Sequence, residues 1–373
     1  MLTCQFECGV DKPMKSEKQR ERDEIIHGTF MKQGTMLAFP TGFPGATIPI
    51  APDESHITAL DATPEGIVYG GTSGRQAHVF VGMFHGVTGM IFDLKAVEGA
   101  TQCSAVCCGK TKVLAAVNGP SGGRILMTKL QPLPYDLIQE WGFERPAFED
   151  LGEAVSGEPI VHAVADAARE QIVGITTRHV FTVDVAGAKI DVAGEVPGFG
   201  RLAVGSRGGV LGRDGTSHLW HFDPPTGVLH RKAFKLPYGS WDKATLVWAK
   251  GGQKGLLYTA DATGQLFSFD EERGFSESLG KAMLAPVGPM AVTLDGRLFG
   301  FCGQGIAKMF CYDPSRGETA DLGVAVSVFE RRRYGYAFGD AVTGRDGEII
   351  FGEDDDLGHL WLYFPRIQAV STK

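Results

Sequence analysis

Short apolar runs, broken by polar glycine-rich turns, recur along this chain, and seven of them look alike. They are Ile67-Val68-Tyr69, Val113-Leu114-Ala115, Ile172-Val173-Gly174, Val210-Leu211, Leu256-Leu257-Tyr258, Leu298-Phe299-Gly300 and Ile349-Ile350-Phe351. Each is too short for a helix and is bounded by turn residues, which marks a buried strand. Successive starts lie roughly 38 to 59 residues apart, around the 40–50 expected of four-stranded propeller blades. The widest gap holds an insertion, Gln131–Ala147, rich in proline and aromatic residues.

The segment after each run is repeated as well. A Gly/Asp/Ser-rich turn leads into a His-apolar-aromatic strand at His78-Val79-Phe80, His179-Val180-Phe181, His218-Leu219-Trp220 and His359-Leu360-Trp361. Hairpin turns come next at Asp223–Gly227, Asp270–Gly274 and Asp313–Gly317, where Asp bonds its own backbone and Gly supplies a positive φ. The outer strands carry Asp150-Leu151-Gly152 and Asp321-Leu322-Gly323, with looser copies at Asp93, Asp191 and Ser278. Helical periodicity is missing from about residue 45 to 365. The expected fold is all-β, a seven-bladed β-propeller of four-stranded blades over residues 35–366. The last unit stops at Pro365 without an outer strand, so the ring is expected to close with an N-terminal strand, Met36–Phe39 or Thr47–Ile50. Residues 1–34 read as an arm or short helix, and 367–373 as a tail.

Composition narrows the partners. Hydrophobic residues are 43% and charged residues 21% of 373, an ordinary globular balance. A formal net charge of −8 argues against a nucleic-acid partner held through phosphates. No run of 18 apolar residues and no N-terminal apolar h-region occur, so neither a membrane partner nor a secretory signal is expected. The 7 cysteines are scattered and odd in number, which fits a reducing cytoplasm.

Several segments look like chemistry. Gly109-Lys110-Thr111 lacks the upstream glycine of a phosphate loop and reads as a hairpin turn. Cys4 and Cys8 have a zinc-like spacing but no second pair, and Cys103, Cys107 and Cys108 read as buried thiols. Asp354-Asp355-Asp356 offers three hard oxygen ligands but lacks the alternation of calcium loops, and reads as a charged turn. No nucleophile elbow, zinc-protease helix or dinucleotide fingerprint is present.

In a propeller, the turns inside blades and the connections between them share one face. Here that face collects Arg75, Asn118, Arg178, Arg213, Asp214, Asp261, Gln304 and Asp354–Asp356 from turns. Connections add His56, His162, Arg201, Tyr238, Trp241 and the run Arg331-Arg332-Arg333-Tyr334. Because His78, His179, His218 and His359 recur by blade, each can be a structural histidine bonding a neighbouring turn. Converging on the channel, they would instead form a proton-transfer cluster, or hold a divalent cation in the central channel, the one cofactor this face suggests.

This blade pattern, and above all Gly-Glu-Asp-Asp-Asp-Leu-Gly-His-Leu-Trp-Leu-Tyr-Phe-Pro at 352–365, resembles bacterial seven-bladed propellers that include carbohydrate-active enzymes. Among them are polysaccharide lyases and rhamnose–glucuronate-cleaving propellers. The resemblance implies β-elimination on an acidic, uronate-containing oligosaccharide. Such a reaction needs a cation for the carboxylate, a base for the acidified proton and an acid for the leaving oxygen. Arg75, Arg213 or Arg333 would meet the carboxylate, with Trp241 and His359 as further substrate contacts. His56 or His78 would act as base and Tyr334 or His218 as acid. Two alternatives stand beside it. One is a glycoside hydrolase using Asp214 and Asp354. The other is a non-catalytic propeller binding a protein or ligand, which predicts an exposed apolar patch on one face and no deep polar pocket.

Overall fold

A computed structural model describes residues 34–42, 46–85, 88–131, 145–166, 170–241, 246–250, 255–328 and 333–366. They form seven antiparallel sheets, six of four strands and one with a short fifth. Only one single-turn 3-10 helix, Pro52–Glu54, interrupts the strands among the described residues. The blades cover 56–97, 102–153, 160–195, 199–235, 249–275, 287–326 and 338–365, so all seven runs found in the sequence are second strands of their blades.

Gly34–Pro40 closes the ring. It lies antiparallel to the third strand of blade 7, His359–Pro365, with Gly34 opposite Pro365 and Pro40 opposite His359. Met36–Phe39 is thus the closing strand of the two expected. The other segment contributes a single parallel bridge, Ile48 to Phe92 of blade 1. Sealing the last blade this way removes two free sheet edges at once.

The repeated sequence pattern has a packing cause. In four blades a second-strand glycine sits directly across from a third-strand aromatic: Gly70/Phe80, Gly174/Phe181, Gly212/Trp220 and Gly300/Phe310. The ring lies flat over the glycine, and a Cβ at Gly212 would stand 2.1 Å from Trp220. Phe80, Phe181, Trp220 and Phe310 are fully buried, each worth about 1.5–3 kcal/mol of apolar burial.

Asp-Leu-Gly in the outer strands is a β-bulge. Pairing skips Leu151 in blade 2 and Leu322 in blade 6, and the following Gly152 and Gly323 have φ of +84° and +88°. Asp150 and Asp321 accept from the amides of those glycines at 2.9 and 2.8 Å. Blade 1 makes the same skip at Leu94. The bulge bends each outer strand and fixes its register.

Candidate functional site

The innermost strands start on one face of the ring, here the upper face, which also carries the turns between second and third strands. Three blades build the same device there. In two of them a threonine at the end of the second strand receives an amide at the start of the third: Thr72 accepts from His78 N–H at 3.0 Å and Thr176 from His179 N–H at 2.9 Å. In all three the imidazole meets a buried glutamate, which a turn or connection arginine also holds. In blade 1, His78 Nε2 lies 2.9 Å from Glu54, and Arg75 Nη2 lies 2.6 Å from the same carboxylate. In blade 3 the set is His179, Glu158 and Arg178, at 3.0 and 2.8 Å. In blade 7 it is His359, Glu353 and Arg333, at 2.9 and 3.0 Å.

Electrostatics at these sites are set by the partners. Burial works against a charge on His78, but its bonds to Asp93 (3.1 Å) and Glu54 outweigh that and hold its pKa above the ordinary imidazole range. Burial likewise opposes ionisation of Glu158, yet Thr176, His179 and Arg178 pull it down to about 2. His56, at the start of the first innermost strand, is clamped by the blade 7 turn. Its Nδ1 lies 3.0 Å from Asp354 and its Nε2 2.9 Å from Asp356. Burial disfavours its charge, and the two carboxylates more than compensate, so its pKa is raised. Asp355 differs, because burial and the neighbouring Glu353 push its carboxyl up.

The remaining residues singled out in the sequence are scattered over this face. Arg213 is buried and donates to the carbonyls of Thr216 and Trp241 at 3.2 and 3.1 Å. Trp241 donates to the Pro237 carbonyl at 3.0 Å and packs 5.4 Å from the Phe267 ring. His218 meets Ser217 Oγ at 3.3 Å without a glutamate partner. Tyr334 is exposed and stacks on Tyr336, with ring centroids 6.4 Å apart. Arg331 and Arg332, the Gln131–Ala147 insertion beyond its ends, and Cys4 and Cys8 lie outside the described residues. The structure therefore brings together His78 with Arg75, and His359 with Arg333. Arg213 and Trp241 also touch, while His56, His218 and Tyr334 stand apart from these pairs.

The partners that sequence reading missed are Glu54, Glu158 and Glu353. A signal existed for two of them: Glu54 and Glu158 each stand two residues before an innermost strand, at His56 and Ile160.

The channel itself is a separate place. Residues of six blades, with Trp248 at the entry to blade 5, line a cavity of about 320 Å3 in the half toward the far ends of the innermost strands. His56, His78, His218, Tyr334, Arg75, Arg213, Arg333, Trp241 and His359 are not among its lining residues. Its wall is mostly aliphatic, with Asp61, His162, Arg201 and Asp340 as its charged or titratable side chains. Arg201 of blade 4 crosses to blade 7, pairing with Asp340 and donating to the Gly339 and Thr58 carbonyls. Asp340 accepts from Leu60 N–H of blade 1 at 2.8 Å, and Asp61 from Cys108 N–H of blade 2 at 2.7 Å. Among the described residues no group of three or more His, Cys, Asp or Glu is arranged to hold a metal ion.

Known structures share this architecture. No protein-family model matches the sequence, and no curated protein does. The chain is similar in shape to a catalytically inactive histidine-to-alanine variant of virginiamycin B lyase from Staphylococcus aureus with quinupristin. That similarity has a TM-score of 0.60 at 10% identity and covers 89% of this chain and 99% of that one. It is also similar to the extracellular domain of a putative hybrid two-component system from B. thetaiotaomicron, with a TM-score of 0.56 at 10% identity, over 86% of this chain and 40% of that one. A chain of the mitotic checkpoint complex has a TM-score of 0.56 at 13% identity, over 99% of both chains. These likenesses establish a seven-bladed β-propeller whose structural neighbours include a lyase and a sensor domain.

Proposed function

We propose that this chain is a non-catalytic binding propeller that docks an extended segment of another protein on its upper face. One observation carries the reading: an arc of exposed apolar side chains crosses the upper face of blades 5 to 7. Tyr238 is wholly exposed, and Leu284, Ile306, Tyr334, Tyr336 and Leu357 are between 40 and 56% exposed. From Leu284 onward their supports touch in sequence around the ring. Leu284 packs on Gly303 of the turn carrying Ile306, the Tyr336 carbonyl accepts from Ala307 N–H in that turn, and Arg333 donates to the Leu357 carbonyl. Exposed apolar groups in such number on one face mark an interaction surface. The acidic turn at Asp354–Asp356 closes the arc and suits a basic flank on the partner.

Many polar groups of the same face are paired with one another, within a blade or between neighbouring blades, which suits this reading. A carbohydrate-lyase reading draws on Arg75, whose side chain is 68% exposed, and on His56. It requires a neutral base, whereas Asp354 and Asp356 favour the protonated ring of His56. Cytoplasmic residence belongs to the same proposal and accords with five unpaired thiols among the described residues.

Selection from a displayed random-peptide library tests the proposal. Aromatic or aliphatic anchors flanked by Lys or Arg should be enriched, and Ile306→Asp should weaken the selected peptide at least about tenfold. Peptides that bind Ile306→Asp and wild type alike would overturn it. The lyase reading is checked separately by ultraviolet absorbance of unsaturated uronides across a panel of acidic oligosaccharides.

A further inference from the structure

Two residues lining the channel cavity carry a polar atom without a partner among the described residues: Trp248, whose indole N–H is buried, and His162. Asp61 and Asp340 accept backbone amides, and Arg201 is matched by Asp340 and two carbonyls. His162 is different. Its Nδ1 accepts Leu202 N–H at 3.1 Å, which places the ring proton on Nε2. Nε2 has no hydrogen-bond partner among the described residues, and His162 lines the cavity. The ring is also neutral: burial pushes its pKa down to about 3, with Arg201 adding to the shift.

We propose that the channel is a binding site for a small neutral molecule with an aliphatic body and one carbonyl oxygen, received by His162 Nε2–H. The cavity lining also includes Ala163, Val164, Leu202, Met290 and Val342, which match an aliphatic body. A volume of about 320 Å3 sits at the small end of ligand pockets. His162 presents one proton, so one acceptor satisfies it. A carboxylate ligand is disfavoured because the cavity offers no unmatched cation: Arg201 is paired and His162 uncharged, while Asp61 and Asp340 would repel it. Moving such an anion from water would lose its hydration without a counter-charge. This site is distinct from the upper-face arc and does not depend on it.

Hexanamide and hexanoate, which differ in charge but hardly in size, test the proposal by calorimetric titration. Hexanamide should bind saturably, at least about tenfold more tightly than hexanoate, and equally at about pH 5 and pH 8 because His162 does not titrate there. His162→Phe should weaken hexanamide about tenfold, and His162→Gln, which keeps a donor, should restore part of the loss. Val164→Phe, which keeps His162 and fills the space, should abolish binding. In the wild-type protein the His162 Nε2 proton resonance should move on adding hexanamide, a readout that needs no variant to fold. Equal affinity for the two probes, no saturable binding, no resonance shift, or binding that survives Val164→Phe would overturn the assignment.

Discussion

Arg201 and Asp340 join blades 4 and 7 directly across the channel, 139 positions apart in the chain. Side-chain exposures of 26 and 11% leave both groups largely out of water. Arg201→Leu should therefore destabilise the fold by about 3 kcal/mol, since the Asp340 carboxylate stays buried without its cation. Adding Asp340→Asn should recover part of that loss. Urea unfolding of the single and double variants measures the coupling, and strictly additive losses would refute it.

His78 makes stability depend on pH in a defined direction. Its folded pKa lies above the ordinary 6.5, because Asp93 and Glu54 outweigh the effect of burial. Its contribution is complete below 6.5 and fades as pH rises through the folded value. The Tm deficit of His78→Gln should be largest at about pH 5.5 and shrink toward about pH 9. A deficit constant across that range would contradict the charged network around Glu54, Asp93 and Arg75, with Arg145 3.1 Å from Asp93.

Two glycines should fail for different reasons. At Gly152 nothing lies within 4 Å of an added Cβ, so Gly152→Ala should lose about 1 kcal/mol from the φ of +84° alone. At Gly212 the Trp220 ring stands in the way, and Gly212→Ala should lose about 1–3 kcal/mol through displaced packing. Tryptophan fluorescence should shift only for Gly212→Ala, and unfolding midpoints give the two losses.

Leu37 anchors the closing strand at 1% exposure. Leu37→Ala should lose about 2–4 kcal/mol and raise aggregation on heating, because loosening this strand uncovers the edge of His359–Pro365. Light scattering during a melt checks the second effect. An unchanged melt would mean that the seam contributes little.

On the upper face, Tyr336→Ser should weaken the selected peptide partner by about tenfold without changing Tm, because Tyr336 is 44% exposed. A parallel loss of stability would show that the stacked Tyr334–Tyr336 pair serves the fold instead.

The blade count and the second strands were readable because each run carries its own turn chemistry and, in four blades, a glycine under an aromatic ring. The recurring histidines were readable as a repeat, but their partners come from elsewhere in the chain. Glu54 lies 24 residues before His78, and Glu158 lies 21 before His179. His162 and Arg201 were expected in connections on the upper face but lie within innermost strands and line the channel, a placement hidden by the irregularity of those strands. Pairing slips between Ile57 and Ala59, Cys103 and Ala105, Phe199 and Ala203, and Phe338 and Asp340. Each slip breaks the two-residue alternation from which facing is inferred. Exposure of the apolar arc was not legible either, since Leu284, Ile306 and Leu357 are ordinary core residues by type.

The clasp between Gly34–Pro40 and His359–Pro365 also sets when the molecule can be finished. The first strand is made more than three hundred residues before the one it pairs with, so it must wait without a mate while the strands between them are made. Until His359–Pro365 has been made the circle stays open, and completion is held back to that point. Moving the ends to another loop would relocate that waiting period to a different blade.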